Sequence, residues 1–100
     1  MPLSMEIIEE LAQRLDAAET NRTQIGQFSL EFPEMTLADG YLVSRAWVRN
    51  KIAGGRRVIG HKIGLTSRAM QRSSNVTEPD FGTLLDDMLF PDGQDIAVSR

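Results

Sequence analysis

The sequence predicts an α+β fold, a small domain in which two amphipathic helices pack on short strands. Three observations support this prediction. Apolar residues recur with helical spacing in the first half of the chain, and the second half is dominated by short strand-like runs and turns. A length of 100 residues allows one domain at most, and a domain of this size buries roughly two thirds of its unfolded surface.

The first helix is predicted to follow Ser4, because a serine side chain can cap a helix N-terminus. A connection from Asn21 to Pro33 comes next, since a residue that precedes proline avoids the helical conformation. The expected apolar face of the helix repeats at intervals of three and four residues. It consists of Ile7, Ile8, Leu11, Leu15 and Ala18.

The second helix is predicted to begin after Thr36, with Asp39 at the position that completes a capping box. The pair Gly54-Gly55 is a typical helix stop. The stripe that this helix is expected to bury has helical spacing and is widened by an indole. It consists of Leu37, Tyr41, Ser44, Trp47, Val48 and Ile52.

Residues 58–65 have the alternating pattern of a strand. Thr66 or Ser67 is then expected to cap a short helix that runs through Met70. The segment from Phe90 to Val98 has the pattern of a hairpin fragment that turns at residues 91–93.

Lys62 is the most informative residue of the predicted strand, because it lies between two glycines on one face. Successive side chains alternate in a strand, so Val58, Gly60, Lys62 and Gly64 share a face. Glycines in a strand permit the close approach of a ligand or a second backbone. This pattern indicates a binding site, but a lysine that limits aggregation on an exposed edge strand has the same pattern. The opposite face consists of Ile59, His61, Ile63 and Leu65, which predicts that His61 is a core histidine.

Composition narrows the classes of function. The net charge is −3 and the basic residues are scattered, which argues against a nucleic-acid partner. Cysteine is absent, which excludes disulfides and fits a reducing cytoplasm. No apolar run reaches the roughly 20 residues needed to span a bilayer, and no signal peptide is visible. We therefore expect a cytoplasmic protein with neither nucleic-acid nor membrane partners.

Two runs carry a resemblance to a known family. These are Gly60-His61-Lys62-Ile63-Gly64-Leu65-Thr66-Ser67, with Ala69-Met70-Gln71 after it, and Glu78-Pro79-Asp80-Phe81-Gly82-Thr83-Leu84-Leu85-Asp86-Asp87-Met88. They resemble the N-terminal region of the hydratase/decarboxylase family, within the fumarylacetoacetase-like superfamily. Its members act on 2-oxo-alkenoates in the meta-cleavage pathways of aromatic catabolism. The resemblance extends from the first helix to Arg100.

The resemblance implies a lyase whose chain is considerably longer than this one, and a homo-oligomer. It implies Mg²⁺ or Mn²⁺ bound through a Glu-x-Glu pair and a further acidic residue. Those ligands would begin beyond Arg100, so residues 1–100 would be an N-terminal domain without its metal-binding catalytic domain. Such a fragment is expected to hold no cofactor and to be inactive alone. Lys62 matches the active-site lysine of the family, and Asp80 matches an acidic residue of the same pocket.

Hydration of a dienol requires a positioned acid and a positioned base. We interpret Lys62 as the electrostatic or acidic element and Asp80 as a base, although Asp80 could equally form a turn with Pro79 and Gly82. Thr66, Ser67 and Arg68 are candidate contacts for substrate carboxylates. Helix capping also explains the hydroxyl groups, and a solvated helix face also explains Arg68 and Arg72. The acidic residues at 86, 87, 92 and 95 do not have the spacing of an EF-hand loop, so turn roles are expected there.

Three classes of function remain open. The first is part of a metal-dependent hydratase, the second is the decarboxylase of the same family, and the third is a free-standing interaction module without catalytic activity. A Glu-x-Glu segment encoded after Arg100 would separate the first from the third. Only assays on a complete protein can separate hydration from decarboxylation.

Overall fold

A computed structural model of the chain describes residues 3–98. Helices and strands are both present, which confirms the α+β class. The chain divides into two compact units, one that ends at Gly54 and one that begins at Gly55. The elements are α1 (Met5–Asn21), α2 (Phe28–Glu31), α3 (Leu37–Ala53), β1 (Val58–Gly64), α4 (Arg68–Ser73), β2 (Asp80–Leu85) and a 3-10 turn at Asp86–Met88. Among these residues no helix is long and apolar enough to cross a bilayer.

The core of the first unit lies between α1 and α3, which pack against each other. The short helix α2 and the residue after it add Phe28 and Phe32 to the edge of this core. The expected packing of the helices on the strands stays a prediction. The buried core residues are Leu3, Ile8, Leu11, Ala12, Val43 and Ala46.

Both predicted helix starts are confirmed. The Ser4 hydroxyl accepts a hydrogen bond from the Ile7 amide at 3.3 Å. At the start of α3 the Thr36 hydroxyl accepts from the Asp39 amide at 3.1 Å, and the Asp39 carboxylate accepts from the Thr36 amide at 3.0 Å. This reciprocal pair is a capping box. The sequence therefore identifies both N-termini correctly, because capping is a local interaction.

The predicted buried stripe of α3 is wrong at both ends, although Trp47 is half-buried and packs against the core as expected. Leu37 and Ile52 are 59% and 50% exposed, whereas Asp39, Val43 and Ala46 are buried. The buried residues of α3 have the expected helical spacing, but the first of them is Asp39, whose carboxylate takes part in the capping box. Asp39 can lie inside because its two oxygens also accept from the Leu3 amide, each at 3.3 Å. These hydrogen bonds satisfy a buried charge, which would otherwise be strongly unfavourable.

Acid should destabilise the protein partly through Asp39. The hydrogen bond from the Thr36 amide is the main cause that lowers the pKa of Asp39, and the Leu3 amide adds to it. A lowered pKa in the folded state stabilises the fold above the unfolded value of about 3.9, and this contribution is lost as the pH falls through the folded pKa. We expect Asp39→Asn to flatten the acid limb of a plot of unfolding free energy against pH. Asp92→Asn, on an exposed turn, is the control; an equal flattening in both variants would contradict this explanation.

The second unit is built on the antiparallel pair of β1 and β2. Lys62 lies opposite Gly82, and Gly64 lies opposite Asp80. The register shifts between Val58 and Gly60, where β1 contains one extra residue. Such an irregularity interrupts the alternation of side chains. Val58 pairs with Leu85 as a result, so the prediction that it shares the face of Lys62 is wrong.

The segment from Phe90 to Val98 contains a turn but no strand, so the predicted hairpin fragment is wrong. The Pro91 carbonyl accepts from the Gln94 amide at 3.1 Å, and Gly93 has a positive φ of 81°. The antiparallel partner of β1 comes instead from residues 80–85. Proline also cannot donate a ladder hydrogen bond, which disfavours a central strand here.

Candidate functional site

The candidate site is an ion pair between Lys62 on β1 and Asp80 at the start of β2. The lysine Nζ lies 3.4 Å from Asp80 Oδ1 and 3.5 Å from Oδ2. The two side chains are 52% and 49% exposed, so solvent and small molecules reach both. The two residues are diagonal neighbours across the strand pair, a separation that long side chains span easily. Asp80 belongs to a strand, so the alternative that it forms a turn with Pro79 and Gly82 is wrong.

Two glycines leave the space that this pair occupies. A Cβ atom on Gly64 would lie 2.5 Å from Asp80 Oδ1 and 3.2 Å from Lys62 Nζ. A Cβ atom on Gly82 would lie 3.0 Å from Lys62 Cε and 3.4 Å from Cγ. Gly60, by contrast, would bring its Cβ no closer than 3.8 Å to Leu84 Cδ1, an ordinary contact. At position 64, any residue other than glycine is therefore incompatible with the observed ion pair. At position 82, a larger residue would restrict the space for the Lys62 side chain.

Stability does not explain this arrangement. An exposed ion pair contributes about 0–1 kcal/mol, and glycines in the interior of a strand weaken it. Gly82, in the interior of β2, thus lowers the stability of its strand, and together with Gly64 at the end of β1 it leaves room for an ammonium and a carboxylate side by side. A paired donor and acceptor in an accessible position is suited to polarise or deprotonate a small molecule.

The face opposite the ion pair is exposed, which corrects one prediction. His61 is exposed, and Ile63 and Phe81 are 60% and 56% exposed. The prediction that His61 is a core histidine is therefore wrong. Alternation in the sequence identifies an apolar face of a strand, but it does not reveal whether a second layer covers that face.

The three candidate substrate-binding residues follow β1 directly. Thr66 is an exposed residue of the turn, and Ser67 caps α4 by accepting from the Met70 amide at 3.2 Å. The capping role considered for Ser67 is thus confirmed. Arg68 is exposed, while the Nε of Arg72 donates to the Arg68 carbonyl at 3.4 Å. The structure brings Lys62 and Asp80 together, and the contribution of residues 66–68 stays a prediction.

Two residues near the ion pair were not predicted from the sequence to belong to the site. Gly82 lies directly opposite Lys62, and alternation in the run from Asp80 to Leu85 could have found it. Gln71 donates its side-chain N–H to the carbonyl of Leu65 at 2.9 Å. Leu65 has a positive φ of 54°, which no pattern in the sequence indicates because leucine rarely adopts it.

The acidic residues after β2 have structural roles. The Asp86 carboxylate accepts from the Arg57 amide at 3.2 Å, and this hydrogen bond is the main cause that lowers the pKa of Asp86. Asp87 forms an ion pair with Arg56, in which Oδ2 of the aspartate lies 3.6 Å from Nε of the arginine. Residues 3–98 contain no group of three histidine, aspartate or glutamate side chains placed to hold a metal ion. The metal ligands that the family resemblance implies are expected beyond Arg100, and the groups that the described residues bring together at this site are an ammonium and a carboxylate.

Comparison with known proteins identifies the class of enzyme to which the chain is similar. No family model matches the chain. Its similarity to curated hydratases nevertheless confirms the resemblance inferred from the two sequence runs. The 2-oxo-hept-4-ene-1,7-dioate hydratase of Escherichia coli is 61% identical over 90 residues, which are 90% of this chain and 34% of that enzyme. The 2-keto-4-pentenoate hydratase of Paraburkholderia xenovorans (strain LB400) is 43% identical over 91% of this chain and 34% of that enzyme.

A solved structure is similar as well. The 4-oxalocrotonate decarboxylase from Pseudomonas putida G7, complexed with calcium and acetate, superimposes with a TM-score of 0.82 at 40% identity. The match covers 85% of this chain and 33% of the decarboxylase chain. The same enzyme is also solved with magnesium and adipate. The chain thus spans about a third of the length of the relatives that it matches.

Proposed function

We propose that residues 1–100 are the N-terminal domain of a metal-dependent hydratase that adds water to a 2-oxo-alkenoate in the meta-cleavage catabolism of aromatic compounds. The observation that carries the proposal is the Lys62–Asp80 pair, seated between Gly64 and Gly82. The 61% identity to the 2-oxo-hept-4-ene-1,7-dioate hydratase supports 2-oxohept-ene-1,7-dioate as the substrate. We propose homoprotocatechuate degradation as the pathway.

The pair supplies two complementary groups for hydration. The Lys62 ammonium stabilises negative charge that develops on the oxygen of the dienol, an effect that grows when the bound substrate excludes water. The Asp80 carboxylate accepts a proton from the attacking water and, once protonated, can pass that proton to the substrate carbon. Because the two groups are only 3.4 Å apart, a substrate that binds over β1 and β2 meets both.

Substrate carboxylates are assigned to the turn after β1. We place Thr66, Ser67 and Arg68 there as substrate-binding residues, with the Arg68 guanidinium for the distal carboxylate of a diacid. Arg72 is less suitable, since its Nε already donates to the Arg68 carbonyl. Arg68→Ala should therefore raise KM for a dicarboxylate more than for a monocarboxylate substrate.

The rest of the enzyme would supply the metal centre. We propose that Mg²⁺ or Mn²⁺ binds to acidic residues encoded after Arg100, where it would act as a Lewis acid on the 2-oxo acid. A Glu-x-Glu segment in the coding sequence after Arg100 would support this, and its absence would favour a free-standing interaction module. The proposed enzyme is a cytoplasmic homo-oligomer that acts on a small molecule and has no nucleic-acid or membrane partner.

Decarboxylation is the second candidate, because the structural similarity to 4-oxalocrotonate decarboxylase is high over 85% of the chain. 2-Oxopent-4-enoate is the alternative substrate for hydration, supported by the 43% identity to its hydratase. An assay of the complete enzyme separates these possibilities. Loss of dienol absorbance without CO₂ release indicates hydration, and CO₂ release indicates the decarboxylase.

The 100-residue chain alone is expected to have no hydratase activity. It offers Lys62 and Asp80, but among the described residues no set of acidic side chains fits a metal ion. The check is turnover of a 2-hydroxydienoate with added magnesium, compared with a chelator-treated sample. Turnover above that control would contradict the expectation.

A further inference from the structure

The backbone turns sharply where β1 ends, beside the ion pair. Leu65 follows the last residue of the strand and has a φ of 54°. A side chain larger than hydrogen makes this left-handed conformation unfavourable, and it persists only where neighbouring groups hold it. The residue before it, Gly64, is the cross-strand partner of Asp80 and faces its carboxylate. The left-handed residue therefore directly follows Gly64, which contacts the ion pair.

One side chain forms a hydrogen bond with this turn. Gln71 donates from Nε2 to the Leu65 carbonyl at 2.9 Å, and this hydrogen bond is partly buried. The donor stands on a helix that is fixed at both ends. Ser67 caps the N-terminus of α4, and Asn75, with a φ of 59°, closes its C-terminus, where the Val76 amide donates to the Gln71 carbonyl at 2.9 Å. This closure is a Schellman-type C-cap.

We propose that Gln71 is a positioning residue for the Lys62–Asp80 pair. Its hydrogen bond keeps Leu65 left-handed, and this conformation fixes Gly64 against the Asp80 carboxylate. If Leu65 relaxed to a negative φ, the chain after Gly64 would change direction and the end of the strand pair would shift. The distance from Lys62 to Asp80 would shift with it. The functional meaning of this role rests on the proposed hydratase chemistry, whereas the structural role can be measured without any assay of activity.

Gln71→Met tests the role, because methionine has a similar length and volume but no N–H donor. NMR of the 100-residue chain reports the sign of φ at Leu65 through the distance between its amide and α protons. The side-chain resonances of Lys62 and Asp80 report their pairing. We expect the ratio of left-handed to extended Leu65 to fall about 5- to 10-fold, as loss of one hydrogen bond implies, and the Asp80 carboxyl resonance to move with it. Gln13→Met, on an exposed position of α1, is the matched control and should change neither signal.

Rescue by a second substitution separates positioning from packing. Asparagine tolerates the left-handed conformation better than leucine. Leu65→Asn should therefore restore the positive φ and the Asp80 resonance in the Gln71→Met background. Unchanged signals in Gln71→Met, or changes that Leu65→Asn leaves in place, would overturn the proposal. Neither outcome bears on hydratase activity, which is tested separately at Lys62.

Discussion

Lys62→Met is expected to lower turnover of a 2-hydroxydienoate by about 100-fold or more in the complete enzyme, with little change in melting temperature. Removal of a charge that stabilises developing negative charge in a desolvated site has effects of this order. The aliphatic stem, which lies over Gly82, is retained in methionine, so packing is preserved. The lysine is 52% exposed, and we expect the free energy of unfolding to change by less than about 1 kcal/mol.

His61→Ala is the matched control for this variant. It lies next to Lys62 but on the other face of β1, and it is exposed. Both turnover and melting temperature should stay near those of the unaltered enzyme. Near-normal turnover in Lys62→Met, combined with loss of turnover in His61→Ala, would show that the catalytic face of the strand is the opposite one.

Gly64→Ala is expected to lower turnover between about 10- and 100-fold, because small displacements of catalytic groups have effects of this size. The added Cβ would lie 2.5 Å from Asp80 Oδ1 and 3.2 Å from Lys62 Nζ, so the observed geometry of the ion pair must change. The atom that moves is the end of a flexible side chain, and alanine is also more favourable than glycine in a strand. Stability should therefore change by less than about 1 kcal/mol.

Gly60→Ala provides the comparison within the same strand. Its added Cβ would meet only Leu84 Cδ1, at 3.8 Å, and the ion pair would stay in place. Turnover and the melting curve are measured for both variants. Equal losses of turnover in Gly60→Ala and Gly64→Ala would mean that β1 responds to any added methyl group, and that the space around Asp80 is not the cause.

Local features of this chain could be predicted from the sequence. Ser4 and Thr36 cap the two long helices as expected, because a cap depends on residues within one turn. The strand around Lys62 and its glycine face follow from simple alternation. Lys62 and Asp80 are candidates because the two motifs resemble those of the family; the structure places their charged groups 3.4 Å apart, and their catalytic roles stay predictions.

Features that depend on partners elsewhere in the chain could not be predicted. The burial of Asp39 on α3 is accompanied by hydrogen bonds from the Leu3 amide, 36 residues away. The exposure of His61 depends on whether a second layer covers β1. The left-handed Leu65 depends on the side chain of Gln71, and neither residue type indicates such a turn. Each of these properties is set by tertiary contacts, which a periodic pattern does not contain.

The space around the ion pair also has a consequence for how this protein can vary. Any side chain at position 64 displaces the carboxylate at 80, while one at 82 presses on the stem of Lys62. Substitutions at positions 62, 64, 80 and 82 should therefore be strongly epistatic. A larger residue at 64 fits without displacing a neighbour only after Asp80 has been replaced by a smaller residue. A combinatorial library that randomises the positions independently should return few active members, and these should retain both glycines whenever they retain both charges.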